Sequence, residues 1–361
     1  MKLLGNINQG SAVTKLIFGI GGVILMLLIW FLISSGGSPD SPSILPSPLQ
    51  VLTSFGSLVN DNELFYHVGR SVAINMSGYI EAILLVIPIG FSIGLIKWAR
   101  WGFQRQVDAL RYIPLTAVIV LFIFWFGIGV SMKVHFLAFG ILIYLLPVMM
   151  QRIDEVDDVY LKTVHTLGAT DWQVLRSVYI PSVLSRLFDD IRVLTAISWT
   201  YIIVAEGINS NQGGIGTLIY YTGQRQARYD KVFALLIIIM LIGVLQDKIF
   251  QWLDRQFFPH KYQAQDAVKS STMRKQTLIK VVLDYVFVAL GWIAIILYLI
   301  LMINEYTGIL GDFKPLTYLF GETTWVIHLI VISIVGFRIW KWLQHRSDML
   351  ALKSIKPTAA S

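Results

Sequence analysis

Long apolar runs broken by short polar connections set the plan of this 361-residue chain. Eight runs, at about 16–33, 79–96, 115–130, 136–150, 191–205, 232–250, 278–303 and 325–339, approach the roughly 18–20 apolar residues that cross a hydrocarbon core of about 30 Å. They predict an all-α, polytopic membrane protein. The first run is longer than the h-region of a signal peptide and no A-x-A site follows it, so it reads as a retained span. Between the first two runs lies SGGSPDSPSILPSP, rich in Pro, Ser and Gly, followed by an amphipathic stretch over 51–59 that predicts a short interfacial helix. The polar, basic segment QAQDAVKSSTMRK marks a linker before the last two runs.

The segment 157–181, DDVYLKTVHTLGATDWQVLRSVYIP, breaks the apolar pattern. Asp157 and Asp158 suit the positive end of a helix dipole. Leu161, Val164 and Leu167 follow at spacing three and share one face. Gly168 fits the left-handed position after a helix end. Thr170-Asp171-Trp172-Gln173 matches the S/T-x-x-Q capping box of a second helix, with Trp172, Leu175 and Val178 as its apolar stripe. Pro181 is expected to stop or kink that helix. The outcome is two short amphipathic helices at an angle. By the residues alone they either lie on the bilayer or dock on a partner.

Composition agrees with a membrane protein: 55% of residues are hydrophobic, 14% are charged, and mean hydropathy is +0.66. The net charge of +7 gathers into no basic patch with interleaved aromatics, which argues against nucleic acid. With no cysteine, disulfides, thiolate metal sites and thiol nucleophiles are excluded. The six His residues lack ligand spacing, and neither metal nor cofactor is expected. If the N-terminus is cytoplasmic, 22 of the 29 Lys and Arg fall on the cytoplasmic side. Both termini and the 157–181 segment are therefore expected there.

From Gly168 the spacing Gly-x9-Val-Tyr-Ile-Pro, closing at Pro181, resembles the cytoplasmic-loop signature of ABC importer permeases, EAA-x3-G-x9-I-x-LP. Five further blocks are similar to the nitrate/sulfonate/taurine-type permeases: ILPSPLQVLTSF at 44–55, ALRYIPLTAVIVLFIFWFGIG at 109–129, IVAE at 203–206, GGIGTLIYYTGQ at 213–224 and LIGVLQDKIFQWLDRQFFP at 241–259. Lys162, Thr163 and Val164 stand where the pattern has EAA, so its opening acidic residue is missing. The resemblance implies a six-span type I permease core with two extra C-terminal transmembrane helices. The expected layout is a first helix and outer loop over 1–75, the core over 76–262, a linker over 263–276 and a two-helix membrane extension over 277–361. It also implies a prokaryotic cytoplasmic membrane, a permease homodimer, separate ABC ATPase subunits and an extracytoplasmic substrate-binding protein. The chain itself has no G-x4-G-K-[ST] phosphate loop. Leu167, Gly168, Ala169, Thr170, Trp172 and Pro181 would then form the ATPase-coupling loop. A secondary transporter or channel is the alternative, disfavoured by sparse intramembrane charge.

Ionisable and polar residues in the runs are candidate path or gate groups. Pro114 would shape a helix break. Ser198, Thr200 and Tyr201 either line a path or bond neighbouring helices. Glu206 and Glu81 either line the mouth or snorkel to the interface. Arg192, close after Asp189 and Asp190, is expected to form a local ion pair.

Overall fold

The computed structural model describes residues 12–34, 44–208, 212–262, 278–309, 311 and 313–354. The expected linker at 263–276 and residues 35–43 of the Pro/Ser-rich stretch at 35–48 lie outside them. No strand occurs among the described residues. Helix α1 (Ala12–Ser34) is exposed along its apolar length and is tied in near its end, where the Trp30 indole donates to the Pro46 carbonyl (3.0 Å) and stacks on Phe233. Helix α2 (Pro48–Asn60) opens on a capping box in which Ser47 and Gln50 satisfy each other's backbone amides, and it buries Val51, Ser54 and Leu58.

Helix α3 runs from Leu64 to Leu95, starting well before the expected 79. Its first turns carry His67, Arg70, Ser71 and Asn75, which look like loop residues until their buried partners are in place. A break over 111–114 separates α4 (Lys97–Leu110) from α5 (Leu115–Phe126), and the two are bent by 106°. At 12 residues α5 spans about 18 Å, too short to cross alone, so the third apolar run is one limb of a broken element. Pro114 is the N-cap of α5, as the expected helix break requires. Helices α6 (Val130–Asp154), α7 (Asp158–Thr166), α8 (Asp171–Val174), α9 (Ile180–Ile208), α10 (Ile215–Tyr220) and α11 (Tyr229–Phe257) follow. The C-terminal helices are α12 (Leu278–Thr307), α13 (Pro315–Phe320) and α14 (Thr324–Ser354). Among the described residues six helical stretches are long and apolar enough to cross a membrane, seven if the bent pair counts as one.

The core of the bundle is the contact between α3 and α6. Gly78, Ala82, Val86, Gly90 and Gly94 repeat every four residues along one face of α3. Leu137, Ile141, Leu145, Met149 and Ile153 do the same on α6, and nearly all of these are buried. A Cβ at Gly78 would lie 2.8 Å from Leu137, one at Gly90 2.4 Å from Met149, and one at Gly94 2.4 Å from Ile153. Each pair is 59 residues apart, so the helices run parallel in constant register and each large residue of α6 fills a gap left by a glycine. Lipid is as apolar as these side chains, so close packing rather than a hydrophobic driving force holds the pair.

The C-terminal helices pack on this bundle. α13 lies on α3, with the Leu319 carbonyl pressed against Gly69 and Tyr318 against Tyr66 (5.1 Å between centroids). Arg338 of α14 sits over both Trp252 of α11 (4.7 Å) and Trp292 of α12 (5.6 Å).

Gly78→Val places methyl groups where Leu137 already sits. It should destabilise the solubilised protein by about 1–3 kcal/mol in reversible unfolding, and Leu137→Ala should restore part of that loss.

Candidate functional site

At the C-terminal end of α6 the chain forms an exposed elbow. Asp157 caps α7 by accepting from the Val159 amide (2.9 Å). The Gly168 amide donates to the His165 carbonyl and the Ala169 amide to the Val164 carbonyl, and Gly168 holds φ 77°, where a β-carbon is strained. Thr170 and Gln173 form the reciprocal cap of α8: the Thr170 amide donates to the Gln173 Oε1 (2.8 Å) and the Gln173 amide to the Thr170 hydroxyl (3.4 Å). Both anticipated caps are thus present, because each depends on residues three or four apart.

The apolar stripes are not as anticipated. Leu161 and Val164 pack against the core, but Leu167 lies past the helix end and is 81% exposed. In the second helix Val174 and Val178 face inward, while Trp172, two positions before Val174 and so on the other side of a helix, is 66% exposed. Pro181 neither stops nor sharply ends the helix. A π-helical turn over Leu175–Tyr179 widens the backbone just before it, and α8 continues into α9. That turn absorbs the missing amide and the ring that would otherwise meet the preceding turn.

The elbow is braced to the bundle by charge. The Arg152 guanidinium donates to both oxygens of Asp190 on α9 (2.7 and 2.8 Å) and to Glu155 (2.7 Å). Arg186 donates to the Glu155 carbonyl (2.8 Å). Arg152, hydrogen-bonded to Glu155, holds that carboxyl below the usual carboxylate range. Its stabilising effect is therefore complete above the ordinary carboxylate pKa and is lost only as pH falls through the lowered value. The local pairing expected for Arg192 does not occur. Arg192 reaches Asp247 of α11, Asp190 takes Arg152, and Asp189 accepts from Lys261 (3.1 Å). Asp190, two positions from Arg192, faces elsewhere on the helix, and Asp189, three positions away, is taken by Lys261.

The opposite end of the bundle holds a buried polar knot centred on Glu206. Ser71 donates to its carboxylate (2.7 and 2.8 Å), as does the Gly216 amide (2.8 Å), while the Ile215 amide donates to Ser71 (2.8 Å). Gly214 has φ 118°, and a Cβ there would fall 2.3 Å from the Glu206 carboxyl carbon. Glu206 is fully buried, which corrects the reading of it as a snorkelling interfacial carboxylate. Its partner on α3, Ser71, is 135 positions away and beyond the reach of local sequence patterns. Glu81 likewise lies within α3, against His135 (2.7 Å), and does not open that helix.

The four candidate path residues are not brought to one surface. Ser198 faces α3, accepting from the Asn75 amide (3.0 Å). Tyr201 faces α6, near Gly140 and Tyr144. Pro114 is exposed at the start of α5, and Glu206 belongs to the knot. Ser71, Asn75, His67 and Lys133 were not anticipated. The GGIG run at 213–216, seven to ten residues past Glu206, is the signal that could have pointed to the knot.

Comparison with known proteins gives a family profile, described as the binding-protein-dependent transport system inner membrane component, that matches residues 86–258. The putative aliphatic sulfonates transport permease protein SsuC of Escherichia coli is 30% identical over 230 residues, 64% of this chain and 86% of that protein. The taurine transport system permease protein TauC of the same organism is 26% identical over 245 residues, 66% and 88% of the two chains. SsuC of Bacillus subtilis is 28% identical over 232 residues, 64% and 83% of the two.

Ser71→Ala removes both bonds to Glu206 and strands the Ile215 amide. It should cost about 1–3 kcal/mol in unfolding measurements. Ser92→Ala, exposed and bonded only to Pro88 of its own helix, should stay within about 0.5 kcal/mol.

Proposed function

Since the chain belongs to the family of binding-protein-dependent transport system inner membrane components, and is the polytopic permease subunit of an ABC importer for a small solute, we propose that its elbow couples it to a separate ATPase subunit. The observation that carries this is the outward pair Leu167 and Trp172, 81% and 66% exposed on helices that are capped and braced. Exposed apolar area of this kind is unfavourable in water and marks a contact surface. Asp157, Asp158 and Asp171 lie in the same exposed segment as Lys162 and Arg176, a mixed charge that suits a protein cleft better than an anionic lipid surface. In this reading Leu167, Gly168, Ala169, Thr170 and Trp172 form the docking contact. Pro181 and the π turn join it to α9.

The partners follow from the same reading. ATPase subunits supply the hydrolysis, and an extracytoplasmic binding protein delivers the solute. A second copy of the chain covers the exposed apolar face of α5, where Val120, Leu121, Phe124 and Trp125 are exposed in the single chain. The distribution of Lys and Arg supports a cytoplasmic elbow and cytoplasmic termini. The named relatives support an organic sulfonate such as taurine as the solute class. Of the candidate path residues, Pro114 and Tyr201 are retained, since Ser198 and Glu206 are occupied in packing between helices.

Leu167→Glu and Trp172→Glu should each lower ATP-dependent uptake at least tenfold and release the ATPase during co-purification, while the variants fold normally. Unchanged uptake and assembly in both would contradict the assignment.

A further inference from the structure

The break between α4 and α5 lies deep in the bundle. A Cβ at Gly140 would fall 3.2 Å from the Leu115 side chain, and Leu115 is buried in one cluster with Phe136 and Ile143. Leu110 packs against the same cluster. Gly140 and Ile143 stand in the middle of the apolar run at 136–150, so both edges of the break sit near the centre of the hydrocarbon layer. At its other end α4 is anchored near the elbow, where Arg100 donates to Asp154 through both amino groups and to the Gly94 carbonyl (3.3 Å). The 14 residues of α4, about 21 Å of helix, therefore climb from the elbow end to the middle of the membrane.

One side of α4 stays polar along that climb. Arg100, Gln104, Asp108 and Arg111 follow at spacings of four, four and three and so share a face. They are linked in pairs: the Arg100 Nε donates to the Gln104 Oε1 (3.3 Å), and Arg111 donates to the Asp108 carboxylate (3.0 Å). The Asp108 and Arg111 side chains keep 53% and 45% of their exposure, and Tyr112 beside them keeps 81%. An ion pair facing lipid near the bilayer centre is costly, and non-helical backbone such as 111–114 persists at that depth only against protein or water. Dry contact with a second copy would strip water from the pair in both chains, which is also unfavourable. Water at this face resolves both costs.

We propose that the α4 stripe from Arg100 to Arg111, with Tyr112 at its end, is a wall of the elbow-side half of the solute path and is water-filled up to the break. The assignment of this channel to solute rests on the permease reading above, whereas its hydration does not. Donors and acceptors of both charges along the wall suit a small polar or ionic solute.

The chain has no cysteine, so single thiols report water access directly. Gln104→Cys, Tyr112→Cys and the control Leu241→Cys are each placed in the importer, assembled with its ATPase in lipid nanodiscs. Leu241 is 58% exposed in the middle of the apolar run at 232–250. A charged, membrane-impermeant methanethiosulfonate should label Gln104→Cys and Tyr112→Cys at least tenfold faster than Leu241→Cys. Reconstituted into proteoliposomes after labelling, these two variants should lose at least tenfold in ATP-dependent uptake against the same variants unlabelled. Labelling of Tyr112→Cys no faster than the control would overturn the proposal, whether lipid or a dry subunit contact covers the stripe. Fast labelling that leaves uptake intact in both variants would overturn it too, by showing a hydrated surface away from the path. An unsubstituted importer that takes up nothing would instead overturn the permease reading, while the labelling rates still decide the hydration.

Discussion

The architecture depends on how closely α3 and α6 approach each other. In a bilayer, burying apolar surface between helices gains little, so their association relies on packing and on the few polar bonds between them. Gly78, Gly90 and Gly94 remove side chains where Leu137, Met149 and Ile153 project, and the register holds from one end of the contact to the other. With α3 and α6 fixed, α9 packs along α6 and bonds back to α3 through Asn75–Ser198 and Ser71–Glu206.

Both polar ends hang on this three-helix unit. At one end Arg152 of α6 clamps Asp190 of α9, and the elbow leaves between them with its caps closed and two large apolar side chains turned outward. At the other end Glu206 of α9 holds Ser71 of α3 and the α10 backbone, beside the buried Lys133 of α6. In the proposed coupling, a push on the elbow would reach α9 through the π turn before Pro181. Rigid-body tilting is the motion such a unit permits most readily.

Features set by neighbours in sequence were legible before the structure was known. The apolar runs, the Gly168 turn and the Thr170–Gln173 cap belong to this class, since each depends on residues within about one helical turn. Features set by distant partners were not. His67, Ser71 and Asn75 read as loop residues because the groups that make them helical core, Gly214, Glu206 and Ser198, lie 123 to 147 positions away. Trp172, Leu175 and Val178, expected as one apolar stripe, do not share a face: Val174 and Val178 are buried, Val178 in the core with α6, and Trp172 is exposed. Arg192 illustrates the same limit: its partner, Asp247, is supplied by α11.

In the proposed coupling the elbow and the α3–α6–α9 unit move as one body. The chain has no cysteine, so a pair of spin labels can be placed uniquely, one on the elbow at Lys162 and one at Ser131 near the far end of α6. Both positions are exposed. Pulsed electron-spin distance measurement on the assembled importer should give the same distance distribution within a chain with and without ATP, while the distance between the two Lys162 labels of paired chains changes. An ATP-dependent shift of the distance within one chain, with the distance between chains unchanged, would show that the elbow moves on its own and would contradict the account.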